Sequence, residues 1–151
     1  FAIQEQQLGT GHAAAAAQAL LEGSDEPVMV LYGDHPWVSA ETLQAVARRS
    51  EETGSVLTMA TTVVPHFDDW YDAFSSFGRI VRDEREYVQA IVEKKEATPE
   101  QTEIREVNPA YMCFQPGWLW SHLANLRNDN AQGEYYLTEL VHLAFEEGKA
   151  A

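Results

Sequence analysis

Asp34 closes the string Val30-Leu31-Tyr32-Gly33-Asp34, directly after a short apolar run. A carboxylate just past the carboxyl end of a strand stands where open α/β sheets bind their ligands. It can hold magnesium, a hard ion that takes oxygen ligands and keeps waters and substrate phosphates around it. The same residue would also serve as the cap of a turn before Pro36. Gln7-Leu8-Gly9-Thr10-Gly11-His12 places two glycines ahead of a helix. Glycine admits close backbone approach and a helix N-terminus favours anions. The spacing matches neither the P-loop nor the dinucleotide fingerprint, so an ordinary loop accounts for it equally. Asn128-Asp129-Asn130-Ala131-Gln132-Gly133-Glu134-Tyr135-Tyr136 is a polar loop between two helices. It is either a binding loop on a rigid scaffold or a long capping loop.

Other reactive residue types form no such constellation. His12, His35, His66, His122 and His142 share no metal-ligand spacing, and no nucleophile elbow is present. Cys113 lies in an apolar strand and reads as a small buried hydrophobe. Trp118 and Trp120 bracket Leu119 and read as packing residues. The aromatics of 67–77 fit either a pocket rim or a self-packed surface flap.

The elements that must position these groups alternate. Residues 11–22 read as a helix carrying five successive alanines, ended by Gly23. Residues 28–32 and 55–64 read as strands buried on both faces. Between them Ser39 caps a helix at 40–52, with Leu43, Val46 and Ala47 as its apolar stripe. Residues 78–82 and 87–93 flank Asp83-Glu84-Arg85-Glu86 as a hairpin, with Val88, Ala90 and Val92 alternating along its second arm. Thr98-Pro99-Glu100-Gln101 is a capping box opening a short helix to about 105. A strand at 110–114 and helices at 117–126 and 137–147 complete an α/β order with an inserted antiparallel hairpin.

The 151 residues suit one domain, 1–151, and 45% hydrophobic content excludes global disorder. With 24 acidic and 10 basic side chains the net charge is −14, which argues against nucleic acid and against an anionic membrane surface. One cysteine excludes an intrachain disulfide framework. No apolar run approaches the ~20 residues of a membrane span, and residues 1–12 do not read as a signal peptide, so a cytoplasmic location is expected.

Five segments together resemble the uridyltransferase (pyrophosphorylase) domain of the bacterial bifunctional N-acetylglucosamine-1-phosphate uridyltransferase/glucosamine-1-phosphate acetyltransferases. They are QEQQLGTGHA (4–13), VLYGDHP (30–36), FGRIVRD (77–83), AIVEKKEATPEQTEIREVN (90–108) and NDNAQGEYYLTEL (128–140). The resemblance implies a Rossmann-like nucleotide-diphospho-sugar transferase fold: a mixed sheet flanked by helices, with the inserted hairpin. It implies the reaction of UTP with N-acetylglucosamine 1-phosphate to give UDP-N-acetylglucosamine and pyrophosphate, with Mg2+ as cofactor, and it allows a homo-oligomer. By resemblance, Asp34 and Asn130 are the catalytic metal ligands. Gln4, Gly9 and Thr10 contact the uracil end, Tyr32 and Gly33 lie against the nucleotide sugar, and Asn130 serves that sugar as well. Gly78, Glu93 and Asn108 bind the acetylated sugar.

Three departures accompany the resemblance. The family's amino-terminal strand and glycine-rich loop, with its arginine and lysine, have no counterpart here, so the domain is expected to be incomplete at its N-terminus. This fragment alone is then expected to be inactive. Segment 65–77 is longer than the family's usual connection. Asn108-Pro109-Ala110 stands where the family usually has Asn-Thr-Gly. The alternatives are a nucleotidyltransferase for another sugar or base, or a noncatalytic nucleotide-sugar-binding module.

Overall fold

A computed structural model describes residues 1–35 and 38–149. Pro36, the end of the second motif, and the last two residues of the expected domain lie outside them. The elements in chain order are α1 (Thr10–Ala15), α2 (Gln18–Leu21), β1 (Val28–Val30), α3 (Ala40–Thr53), β2 (Leu57–Val63), a 3-10 segment (Asp69–Ser76), β3 (Arg79–Arg82), β4 (Val88–Val92), α4 (Pro99–Thr102), β5 (Glu106–Phe114), α5 (Pro116–Leu123) and α6 (Glu139–Glu146).

β5 is the organising strand. β2 pairs along one edge of it, while β1 and β3 share the other edge, β1 at the end near Phe114 and β3 at Val107. β4 pairs with β3 and completes the hairpin. Among the described residues every ladder is antiparallel, so β1 and β2 run in the same direction with β5 between them. Met112 and Phe114 join the cluster formed by Leu119, Leu137, Leu140 and Ala144. Cys113, pointing the other way along the strand, meets Ser50 of α3. Helices therefore cover both faces of β5, as the α/β reading requires.

Several local signals are realised as read. The Ser39 hydroxyl accepts from the Thr42 amide at 3.1 Å, and Gly54 ends α3 in the left-handed region. Thr98 and Gln101 form the reciprocal capping box of α4. The Asp83 carboxylate accepts from the amides of Arg85 and Tyr87 and fixes the hairpin turn. Cys113 is buried.

Other expectations are corrected. The alanine-rich helix is two short ones, because its bonding switches to i→i+3 at Ala17 and Leu20. β1 is shorter than 28–32 and only half-buried, since β5 covers one of its edges alone. β2 is buried at Leu57 but 68% exposed at Val63. The alternation along β4 breaks: a register shift after Val81 turns Val88 and Ile91 inward and leaves Ala90 and Val92 half-buried. No helix among the described residues is long and apolar enough to cross a membrane.

Candidate functional site

β1 ends at Val30 and delivers Tyr32, Gly33 and Asp34 between two cavities. The first, about 460 Å³, is lined by Thr10, Ala13 and Ala14 of α1 and by residues 30–34. The second, about 210 Å³, is lined by Tyr32, Asp34, His35, Ser76, Phe77, Gly78, Glu93 and Asn108. Tyr32 and Asp34 belong to both walls. The Asp34 side chain is 83% exposed, so its carboxylate is available to a ligand in either cavity.

The second cavity is assembled from three strands that are distant in sequence. Gly78 precedes β3 and Glu93 follows β4, so pairing of the hairpin brings them together. A Cβ at Gly78 would lie 2.6 Å from Ile91 Cγ2 and 3.6 Å from both Glu93 oxygens. The Gly78 carbonyl accepts from the Asn108 amide at 2.9 Å, which ties in β5. At that point β5 bulges: Tyr111 faces Ala60 but Val107 faces Thr62, so residues 108–110 stand opposite Thr61 alone. Ala110 takes φ 62, the left-handed region where the resembling family has glycine. The Asn108 side-chain oxygen accepts from the Ala110 amide at 2.9 Å and holds the bulge, which aims the carboxamide nitrogen elsewhere.

Electrostatics in this cavity follow from burial. Burial pushes the Glu93 carboxyl above its ordinary value, opposed by the Thr138 hydroxyl, which donates to Oε1 at 3.0 Å; nearby Glu96 raises it further. Tyr32 is pushed up by burial first, then by the Glu93 charge, against the effect of the Thr10 hydroxyl. His35 shares the wall without having been singled out by the sequence. Its Nδ1 donates to the Pro109 carbonyl at 3.1 Å, and its ring stacks on Phe77 at 5.6 Å. Its only signal was adjacency to Asp34. Ser76 and Phe77 come from the long segment 65–77, which Arg79 pins. That buried guanidinium donates to the carbonyls of Ser75, Phe77 and Thr102 and sits 4.5 Å over the Phe67 ring.

The glycine-rich segment beside the first cavity is held by the protein's own chain. The Tyr135 amide donates to the Leu8 carbonyl, the Gly11 amide donates to the Tyr135 carbonyl, both at 2.8 Å, and the Leu137 amide donates to the Thr10 hydroxyl at 2.9 Å. Gly9, at φ 110, could not carry a Cβ: it would lie 2.7 Å from the Tyr135 carbonyl oxygen. The close approach that Gly9 permits is therefore to residues 134–135. The Gln4 side-chain amide donates to the Gly9 carbonyl and to His12 Nδ1, closing the loop.

The expected metal pair is unequal. Asp34 presents an open carboxylate. Asn130 has its side-chain oxygen accepting from the Gln132 and Glu134 amides and its nitrogen donating to the Glu134 carbonyl. Both lone pairs of that oxygen are engaged inside the loop, so Asn130 shapes the loop rather than facing a ligand. Among the described residues no group of three or more His, Cys, Asp or Glu side chains could hold a metal ion. Asp34 by itself fits a magnesium site of the kind completed by water and substrate phosphates.

Comparison with known proteins gives the same direction. The family model described as Nucleotidyl transferase matches residues 1–151. The bifunctional protein GlmU of Paraburkholderia phytofirmans is 48% identical over 148 residues, covering 98% of this chain and 30% of the relative. That of Geobacter metallireducens is 44% identical over 148 residues, again 98% and 30%. That of Brevibacillus brevis is 42% identical over 149 residues, 99% and 31%. The chain thus spans about 30% of the length of these relatives. Two crystal structures of UDP-glucose pyrophosphorylase share the fold. The one complexed with UDP-glucose has a TM-score of 0.69 at 18% identity, covering 95% of this chain and 53% of its own. The apo structure has a TM-score of 0.72 at 18% identity, with 95% and 51% covered.

Proposed function

This chain belongs to the nucleotidyl transferase family, and on that premise we propose that the protein transfers uridylyl from UTP to N-acetylglucosamine 1-phosphate, giving UDP-N-acetylglucosamine and pyrophosphate in the cytoplasm. One observation carries the reading: Gly78, Glu93 and Asn108 line a single cavity with Tyr32 and Asp34. That cavity takes the sugar phosphate, and the larger one beside it, lined by Thr10 and Gly33, takes the nucleotide.

A phosphate oxygen of the sugar phosphate forms the new bond to the α-phosphorus, the bond from that phosphorus to the bridging β-oxygen breaks, and pyrophosphate leaves with the electron pair. Catalysis of this kind is positioning plus charge neutralisation. Glu93 accepts from sugar hydroxyls. Asn108, its oxygen engaged by Ala110, offers its side-chain N–H to the acetamido group. Gln4 has its N–H groups engaged by Gly9 and His12, which leaves its carbonyl to accept from the uracil imide. Asp34 would hold a magnesium ion that neutralises phosphate charge. Asn130 and Gly9 serve the site by fixing the loop and the glycine segment against each other. A change of sugar is the second reading, favoured by Pro109-Ala110 beside the acceptor cavity, where the Pro109 carbonyl binds His35.

The test is magnesium-dependent pyrophosphate release from UTP by the full-length protein with a panel of sugar 1-phosphates. N-acetylglucosamine 1-phosphate is expected to be preferred, and no release with any sugar would defeat the reading. Asp34→Ala should lower turnover at least ~100-fold, the loss expected when charge stabilisation goes. Because the side chain is exposed, the melting temperature should stay within a few degrees. Unimpaired turnover would contradict the role of Asp34.

A further inference from the structure

Residues 135–138 run between the two cavities and bond to the walls of both. Tyr135 is paired with Leu8 and Gly11, and the Leu137 amide donates to the Thr10 hydroxyl on the nucleotide side. The next side chain, Thr138, donates to Glu93 Oε1 at 3.0 Å on the sugar side. Thr138 occupies the N-cap position of α6, where a threonine oxygen ordinarily accepts from a free backbone amide. Here the residue has helical dihedrals and its side chain makes no capping bond. The hydroxyl is instead committed to a carboxylate 45 residues earlier, and the residue is 3% exposed. A buried hydroxyl with one partner is fixed in direction, and so is the group it binds.

Resting on the reading of the smaller cavity as the acceptor-sugar site, we propose that Thr138 is a positioning residue for the sugar phosphate: its hydroxyl fixes the Glu93 carboxylate through Oε1 and leaves Oε2 to accept from a sugar hydroxyl. The bond has a second effect. Burial disfavours the ionised Glu93, and Thr138 is the group whose hydrogen bond opposes that. The titratable groups around Glu93 are Glu96 in the following turn, Tyr32 and Asp34 beyond β1, His35 across the cavity, and Tyr136 two residues before Thr138. None of these donates to Glu93 among the described hydrogen bonds.

The experiment is steady-state pyrophosphate release by the full-length protein. Thr138→Val should raise KM for N-acetylglucosamine 1-phosphate about tenfold, the loss of one charge-assisted hydrogen bond. The KM for UTP should stay within about twofold, and the acid limb of kcat/KM should move to higher pH. Thr138→Ser, which keeps the hydroxyl, should restore all three. A Val variant with unchanged sugar KM and unchanged acid limb overturns the proposal. So does a Ser variant as impaired as Val, because methyl packing would then be the cause. Should the Val variant melt early, the Glu93 carboxyl titration is read by 13C NMR in Thr138→Ala against Thr138→Ser. It should rise in the former and not in the latter, and equal titrations overturn the proposal. Wild-type protein that releases no pyrophosphate with any sugar would remove the acceptor-site reading. The same titration would then still decide whether Thr138 controls Glu93.

Discussion

Glu93 is an ionisable group held where water solvates it poorly, and its site has a thermodynamic cost. Its carboxyl lies above the ordinary value of 4.5, chiefly through burial. A carboxyl raised in the folded state contributes stability that is complete below the unfolded value and is lost as pH rises through the folded one. Glu93→Gln removes the charge and keeps an oxygen to accept from Thr138. The variant should therefore melt higher than the wild type at pH 7, with the difference vanishing near pH 4, as followed by circular dichroism melts. Its kcat/KM for the sugar phosphate should fall about 10- to 100-fold, the loss of one or two hydrogen bonds to a charged acceptor. An equal melting temperature at pH 7 would show that the ionised side chain is better solvated than its burial implies. Asp34 is the opposite case: exposed, inexpensive to place, and informative from sequence because it follows a strand end.

At the scale of elements, two backbone conformations decide the site. Gly9 lets residues 8–11 lie against residues 134–137. Gly9→Ala combines a left-handed φ with a clash against backbone, so a loss of more than ~2 kcal/mol is expected by chemical denaturation. Ala110 shows the reverse relation, an L-residue at φ 62. Ala110→Gly relieves a strain of ~1–2 kcal/mol against a glycine entropy cost of ~0.5–1 kcal/mol. A net gain of ~0.5–1 kcal/mol should appear as a higher denaturation midpoint with unchanged slope. A loss would mean that Pro109 has already accommodated the bulge around an alanine side chain. Caps, the hairpin turn and the final strand core were legible because each is encoded within a few residues. The split of the first helix, the shift within the hairpin and the bulge of β5 were not. Each arises where one element is pulled into register by another, and propensity is silent about that.

Across the whole molecule, charge is the dominant long-range term. Of ten basic residues, Arg79, Arg82, Lys94, Lys95, Arg105 and Lys149 donate to groups of the protein itself. The net charge of −14 leaves an acidic self-repulsion that dissolved salt screens. Raising sodium chloride from 0.01 to 0.1 M shortens the screening length from ~30 to ~10 Å. The melting temperature should rise by a few degrees, and one that falls with salt would show that the local ion pairs outweigh the repulsion. The Arg82–Glu106 pair joins β3 to β5 through two nitrogens at 2.6 and 2.8 Å and holds the Glu106 carboxyl below its usual range.

The sequence by itself determined the α/β class, the family through five ordered segments, and Asp34 as a carboxylate just past a strand end, because motif order, local caps and strand ends are written in neighbouring residues. Only the tertiary structure decided which of the expected residues meet. Gly78, Glu93 and Asn108 come together because β3 pairs with both β4 and β5, while Asn130 turns its carboxamide into its own loop. His35 and Thr138 enter the site through partners 74 and 45 residues away. Such contacts depend on how strands register and where a bulge aims a side chain, which no local pattern specifies.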